Sequence, residues 1–163
     1  MYPVVMRPPQ VPIMPFVVLA LLLWPTPLAP RRLKQLAFAI WMTGGVVLCS
    51  FGLMRLHDGA RSSGGGALLS LALGLAVGFG KGRLILANTS RRNIARLDAL
   101  DGPMRPIRVY DGRSWAVIGL MTALAVALNL GWIPLAPLAR GGVNLAIGSA
   151  LIISSFTYVS RPA

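Results

Sequence analysis

Four runs of apolar residues dominate this chain, and a run of about 20 is what crosses a hydrocarbon core as a helix. They cover residues 33–54, 65–86, 115–133 and 142–158. The first carries one charge, Lys34 at its start; the second carries Lys81 and Arg83 near its end; the third and fourth carry none. Long basic side chains at a span end reach the headgroups while their stems stay in hydrocarbon. No run shows the strict alternation of a barrel strand, and lipid offers no partners for backbone N–H and C=O groups. The expectation is therefore an all-α fold, an integral membrane four-helix bundle of two helical hairpins. Trp115, Trp132 and Tyr158 fall at span ends, where amphipathic rings prefer the interface.

Composition agrees. The chain is 55% hydrophobic and 12% charged, whereas charged residues make up about 25% of a soluble domain. The net charge of +12 does not form a nucleic-acid-binding face, because the basic residues cluster between apolar runs. Of the 16 Lys and Arg residues, all but Arg55, Arg61 and Arg140 fall on one side of the expected topology. By the excess of Lys and Arg in cytoplasmic loops, that side and both termini are read as cytoplasmic. Residues 1–30 form a Pro-rich apolar segment. Its 11–24 stretch is read as interfacial, with a signal-like stretch, a fifth span, and initiation at Met6 or Met14 left open.

The two halves resemble each other. Residues 61–83 and 140–161 each run from an arginine beside glycines through a span to a closing arginine. With two spans per unit, this is a parallel repeat, and a pseudo-two-fold pair of hairpins is expected. The second span places small residues at every fourth position, including Gly74, Gly78 and Gly82; the third does so with Gly119, Ala123, Ala127 and Gly131. Residues four apart share a helix face, and small ones let backbones approach. These stripes are expected to pack against each other, or, through Gly74 and Gly78, to form a homodimer. Asn129 and Asn144 are polar residues near the outer ends of the last two spans, expected to pair or to bond a backbone carbonyl.

Chemistry-bearing motifs are few. The Gly78 to Arg83 stretch, GFGKGR, is no phosphate loop: position 75 is Leu, Lys81 is followed by Gly82, and the stretch ends a helix. His57 and Asp58 adjoin, but there is no second His and no Glu to complete a metal set. The four acids, Asp58, Asp98, Asp101 and Asp111, all lie outside the spans, which argues against a proton-coupled carrier. Cys49 is the single cysteine. No enzyme activity, cofactor or metal is expected.

The linker 87–113 is read as a short amphipathic helix capped by Thr89 or Ser90 and stopped at Asp101-Gly102-Pro103. Lying in the inner leaflet, it would bury Ile94, Leu97 and Leu100 or the neighbouring Ala95 and offer Arg91, Arg92 and Arg96, followed by Arg105, Arg108 and Arg113, to anionic lipid headgroups or a partner. The stretch GKGRLILANTSRRNIARLD, with its Gly-Lys-x-Arg and Arg-Asn-Ile-x-Arg elements, resembles a segment of small uncharacterised bacterial membrane proteins. That resemblance implies a four-span bacterial membrane protein and no activity. The expected function is that of a non-catalytic small subunit or assembly partner of a membrane complex; the alternative is a small-solute transporter or channel component using Asn129 and Asn144.

Overall fold

A computed structural model describes residues 24–159 together with Ala20; most of the 11–24 stretch, Arg7 and Arg161 lie outside the described residues. The described chain forms α1 (Pro30–Ala60), α2 (Gly64–Lys81), a π-helical turn (Gly82–Leu86), α3 (Ala87–Asp98), a 3-10 turn (Pro106–Val109), α4 (Gly112–Leu130), α5 (Pro137–Ser155) and a closing 3-10 turn (Phe156–Tyr158). Pro30 and Pro137 open α1 and α5, where a missing N–H breaks no intrahelical bond. Among the described residues four helices, Pro30–Ala60, Gly64–Asp98, Gly112–Leu130 and Pro137–Tyr158, are long and apolar enough to cross a membrane.

The centre of the bundle is α5, which packs along α1 on one side and along α2 on another. Against α1 it runs antiparallel, and glycines meet glycines. A Cβ on Gly148 would stand 2.8 Å from the Gly45 carbonyl oxygen, and one on Gly52 would stand 2.9 Å from that of Gly141. Gly45, Gly52 and Gly59 are seven apart, as are Gly141 and Gly148, so each set stays on one face for several turns. Against α2 the central helix runs parallel. Here Gly74, Gly78 and Gly82 face Gly142, Ala146 and Ala150, with Cβ positions 2.7, 2.6 and 2.9 Å from those residues' carbonyl oxygens. Both seams use the close backbone approach that small residues permit.

Two expectations are corrected by this packing. The stripe on α2 does not pack against that on α4, because its complement, four-residue spacing included, lies on α5. It is also closed to a second copy, since α5 already fills it. Nor do the halves form a pseudo-two-fold pair of hairpins: the symmetry that maps α1–α5 contacts onto α4–α2 would require an α2–α4 interface of similar extent, and none exists. Consecutive α4 and α5 barely approach. Of the most apolar stretch of each helix, 44% is buried for α5 and 12% for α4, so α5 is the core and α4 the periphery.

The linker also departs from expectation. No break separates α2 from α3: Gly64–Asp98 is one helix of 35 residues, about 52 Å long at 1.5 Å per residue. Neither proposed cap operates. Thr89 donates its hydroxyl to the Ile85 carbonyl (3.4 Å) and Asn88 donates its amide to that of Leu84 (2.9 Å), bonds that side chains inside a helix make. The helix then ends at Asp98, before the Asp101-Gly102-Pro103 stop. Within it, the Ala87 N–H reaches back five residues to the Gly82 carbonyl. That wide turn inserts one residue into the pattern. Buried positions accordingly step from Gly74, Gly78 and Gly82 to Ala87, and then to Ser90, Ile94 and Leu97, keeping one buried edge along the whole helix.

That edge takes the large apolar side chains of α3 and leaves Ala95 as its exposed apolar residue. Ile94 and Leu97 are buried in a cluster with Leu33, Ala37, Ile40, Trp41, Val109, Tyr110 and Tyr158. Burial of Leu33, Leu97 and Val109 contributes about 1.5–3 kcal/mol each. The first turns of α1, α3, the 3-10 turn and the end of α5 thus make a folded cap with its own hydrophobic core at the arginine-rich end of the helices. Lys34 of α1 pairs with Asp98 of α3, and Leu28 and Met104 exchange two backbone hydrogen bonds (2.8 and 2.9 Å) that tie the segment before α1 to the linker.

Candidate functional site

Two polar clusters stand at opposite ends of the helices. In the cap, Asn93 and Arg96 lie on the inward side of α3 because they follow the same buried edge as Ser90 and Ile94. The Asn93 amide donates to the Val109 carbonyl (3.1 Å) and to the Tyr158 hydroxyl (3.2 Å). The Arg96 guanidinium donates to the carbonyls of Val109 (2.7 Å) and Arg108 (2.8 Å) and to the Asn93 side-chain oxygen (3.1 Å). A single α3 cation therefore holds the end of the 3-10 turn. Tyr110 follows that turn, donates its hydroxyl to the Ala37 carbonyl (3.3 Å), and stacks edge-on with Trp115 at 5.3 Å. Burial pushes the Tyr110 phenol well above its ordinary value, so it stays a neutral donor.

The five arginines proposed as lipid or partner contacts do not act alike. Arg91, Arg92, Arg105 and Arg108 present exposed side chains on the cap, whereas Arg96 is turned inward as a clasp. Nearer the apolar helices, Arg83 lies over the Phe79 ring at 5.7 Å.

Asp111 caps α4, its carboxylate accepting the Ser114 N–H at 3.0 Å. That bond holds its carboxyl below the usual value. A depressed carboxyl pKa stabilises the fold above the unfolded value and loses that contribution as pH falls through the folded value. Asp111→Ala is expected to cost about 1 kcal/mol at neutral pH. The difference from the native chain should shrink as acid protonates Asp111, a trend read by denaturant midpoints across pH.

At the far end, the structure brings Asn129 of α4 and Asn144 of α5 together and adds Arg55 of α1. The Asn144 amide donates to the Asn129 side-chain oxygen (3.1 Å), which also accepts from Arg55 (3.1 Å). Arg55 donates to the Asn129 backbone carbonyl too (3.2 Å), and the Asn129 amide donates to the Ala125 carbonyl (2.9 Å). This donor pattern fixes both amide orientations, since reversing Asn144 would set two oxygens face to face. It leaves the buried Asn144 side-chain oxygen without a donor among the described residues. Gly131 ends α4 at a φ of 82°, a left-handed conformation suited to glycine. Of the small residues on α4, Gly119 has open space where a Cβ would stand, Ala123 is exposed and Ala127 half-buried.

Sequence reasoning missed Arg55, Asn93, Tyr110 and the α1–α5 glycine seam. The seam had a signal in its spacing of seven, where attention went to spacings of four. Arg55 had one in lying a turn before the helix end, beyond the last apolar residue of its run. Asn93 and Tyr110 had none, because their burial depends on contacts with Val109, Tyr158 and Ala37, distant in sequence.

No protein-family model, curated protein or solved structure matches this chain.

Proposed function

We propose that the chain is a multi-pass protein of a bacterial inner membrane, cap and termini cytoplasmic, that serves as a non-catalytic subunit or assembly partner of a membrane complex. The orientation is supported by the distribution of Lys and Arg, with only Arg55, Arg61 and Arg140 at the far end among the described residues. One observation carries the assembly reading. The glycine seams of α1, α2 and α5 are filled within the chain, but on α4 Gly119 and Ala123 face outward beside exposed Leu120 and Leu124, as Ala72, Ala76 and Gly80 do on α2. In hydrocarbon such a face gains packing only from another helix. Gly119→Leu with Ala123→Leu should release a stoichiometric partner, or a second copy, from complexes extracted in mild detergent, while leaving the monomer folded. Recovery of the chain as a partnerless monomer before substitution would refute the reading.

A second reading, a small-solute carrier, is favoured by the unfilled Asn144 acceptor beside Arg55 and Asn129. Solute flux through proteoliposomes that Asn129→Ala and Asn144→Ala leave unchanged would remove that site.

A further inference from the structure

We propose that the continuous α2–α3 helix carries a defined binding site for one anionic phospholipid, with an acyl chain on Leu84 and Ile85 and the phosphate held by Arg91 and Arg92. The inference rests on the reading that the four long helices cross a membrane. Leu84 and Ile85 are 71% and 59% exposed, apolar, and face away from α5. The hydrogen bonds from Asn88 to the Leu84 carbonyl and from Thr89 to that of Ile85 show which side chains stand directly above them. On the same face, three and four residues beyond Asn88, come Arg91 and Arg92, both exposed. One helix face thus changes from hydrocarbon-compatible to cationic over about 12 Å, eight residues at 1.5 Å each.

Side chains on a helix lean toward its N-terminus, which directs both guanidinium groups back toward the apolar strip. No acidic residue occurs between Arg83 and Asp98, and Asp98 is paired with Lys34, so the charge is uncompensated. Free phosphate or an acidic polypeptide would meet the arginines but not the apolar strip below them. A molecule with chain and phosphate in line fits both. A separate helix lying flat would have spread the arginines along the surface; the uninterrupted turn at Gly82–Leu86 stacks them over the strip instead.

The test uses the full chain in neutral detergent, titrated with phosphatidylglycerol or phosphatidylcholine and read by native mass spectrometry. Phosphatidylglycerol is expected to be retained over phosphatidylcholine. Arg91→Gln with Arg92→Gln should weaken its binding about thirtyfold, two arginines at about 1 kcal/mol each. Arg105→Gln with Arg108→Gln, which removes the same charge elsewhere on the cap, should leave it nearly unchanged. Equal binding of the two lipids, equal loss in both double variants, or displacement by inorganic phosphate would each overturn the site. Whether the chain needs detergent to leave the membrane fraction is read independently, so failure of the site and failure of the membrane reading are distinguishable.

Discussion

Gly148→Ala is expected to destabilise the bundle by about 3 kcal/mol or more, at the upper end of what overpacking costs. The added methyl would meet the Gly45 carbonyl oxygen at 2.8 Å, the Cys49 backbone nitrogen at 2.8 Å and the Cys49 sulfur at 2.7 Å. Two of those three are backbone atoms that no rotamer change can withdraw, so α1 and α5 must separate. Separation is felt along the whole seam, because Gly52 and Gly141 make the same approach two turns away. Gly119→Ala is the control. A Cβ there meets nothing within 4 Å, and alanine's better helix propensity, up to about 1 kcal/mol, makes the change neutral or mildly stabilising. Unfolding midpoints in mixed micelles titrated with denaturing detergent measure both; similar losses at the two positions would contradict the seam.

Arg96→Met should open the cap while sparing the helix bundle. The substitution keeps most of the stem's packing but leaves the Val109 carbonyl with only Asn93 and removes the short side-chain bond to the Arg108 carbonyl. Hydrogen bonds from a charged donor contribute about 1.5–3 kcal/mol each. With the acceptors partly open to water, the expected loss is about 2–4 kcal/mol for the cap as a unit. Trypsin then reports it, since Arg108 lies within the loosened turn and is followed by Val109, whereas the Arg105–Pro106 bond resists the enzyme: cleavage after Arg108 should accelerate at least tenfold, whereas Arg91→Met, on the exposed face, should not change it. Equal protection in Arg96→Met and native chains would show that the clasp is dispensable.

The apolar runs made four long helices legible because length and hydropathy are local properties. Small residues marked close helix contacts on the second run for the same reason. Which helix would fill each stripe was not local information. Gly74, Gly78 and Gly82 found Gly142, Ala146 and Ala150, and α4 was left at the edge, although Gly119, Ala123 and Ala127 had the matching spacing. Similarly, the polarity of residues 87–98 suggested a surface helix, but no glycine, proline or cap interrupts the chain at Leu86, so the helix continues. Once it stands upright, Ile94 and Leu97 meet Leu33, Val109 and Tyr158 rather than lipid. The Asn129–Asn144 pair was legible from polarity in apolar surroundings; Arg55 joined it only because α1 runs beyond its apolar run.

The packing of α5 between α1 and α2 is tested most directly by disulfide trapping. In a Cys49→Ser background, Ser70→Cys with Gly142→Cys places two Cβ atoms about 3.6 Å apart, within the range a disulfide spans. This pair should oxidise within one chain in native membranes, so that fragments cut in the cap linker stay joined until reduced. Ser70→Cys with Ala127→Cys, which would meet if the α2 and α4 stripes packed together, should remain reduced. Cross-linking of the second pair without the first would contradict the central position of α5.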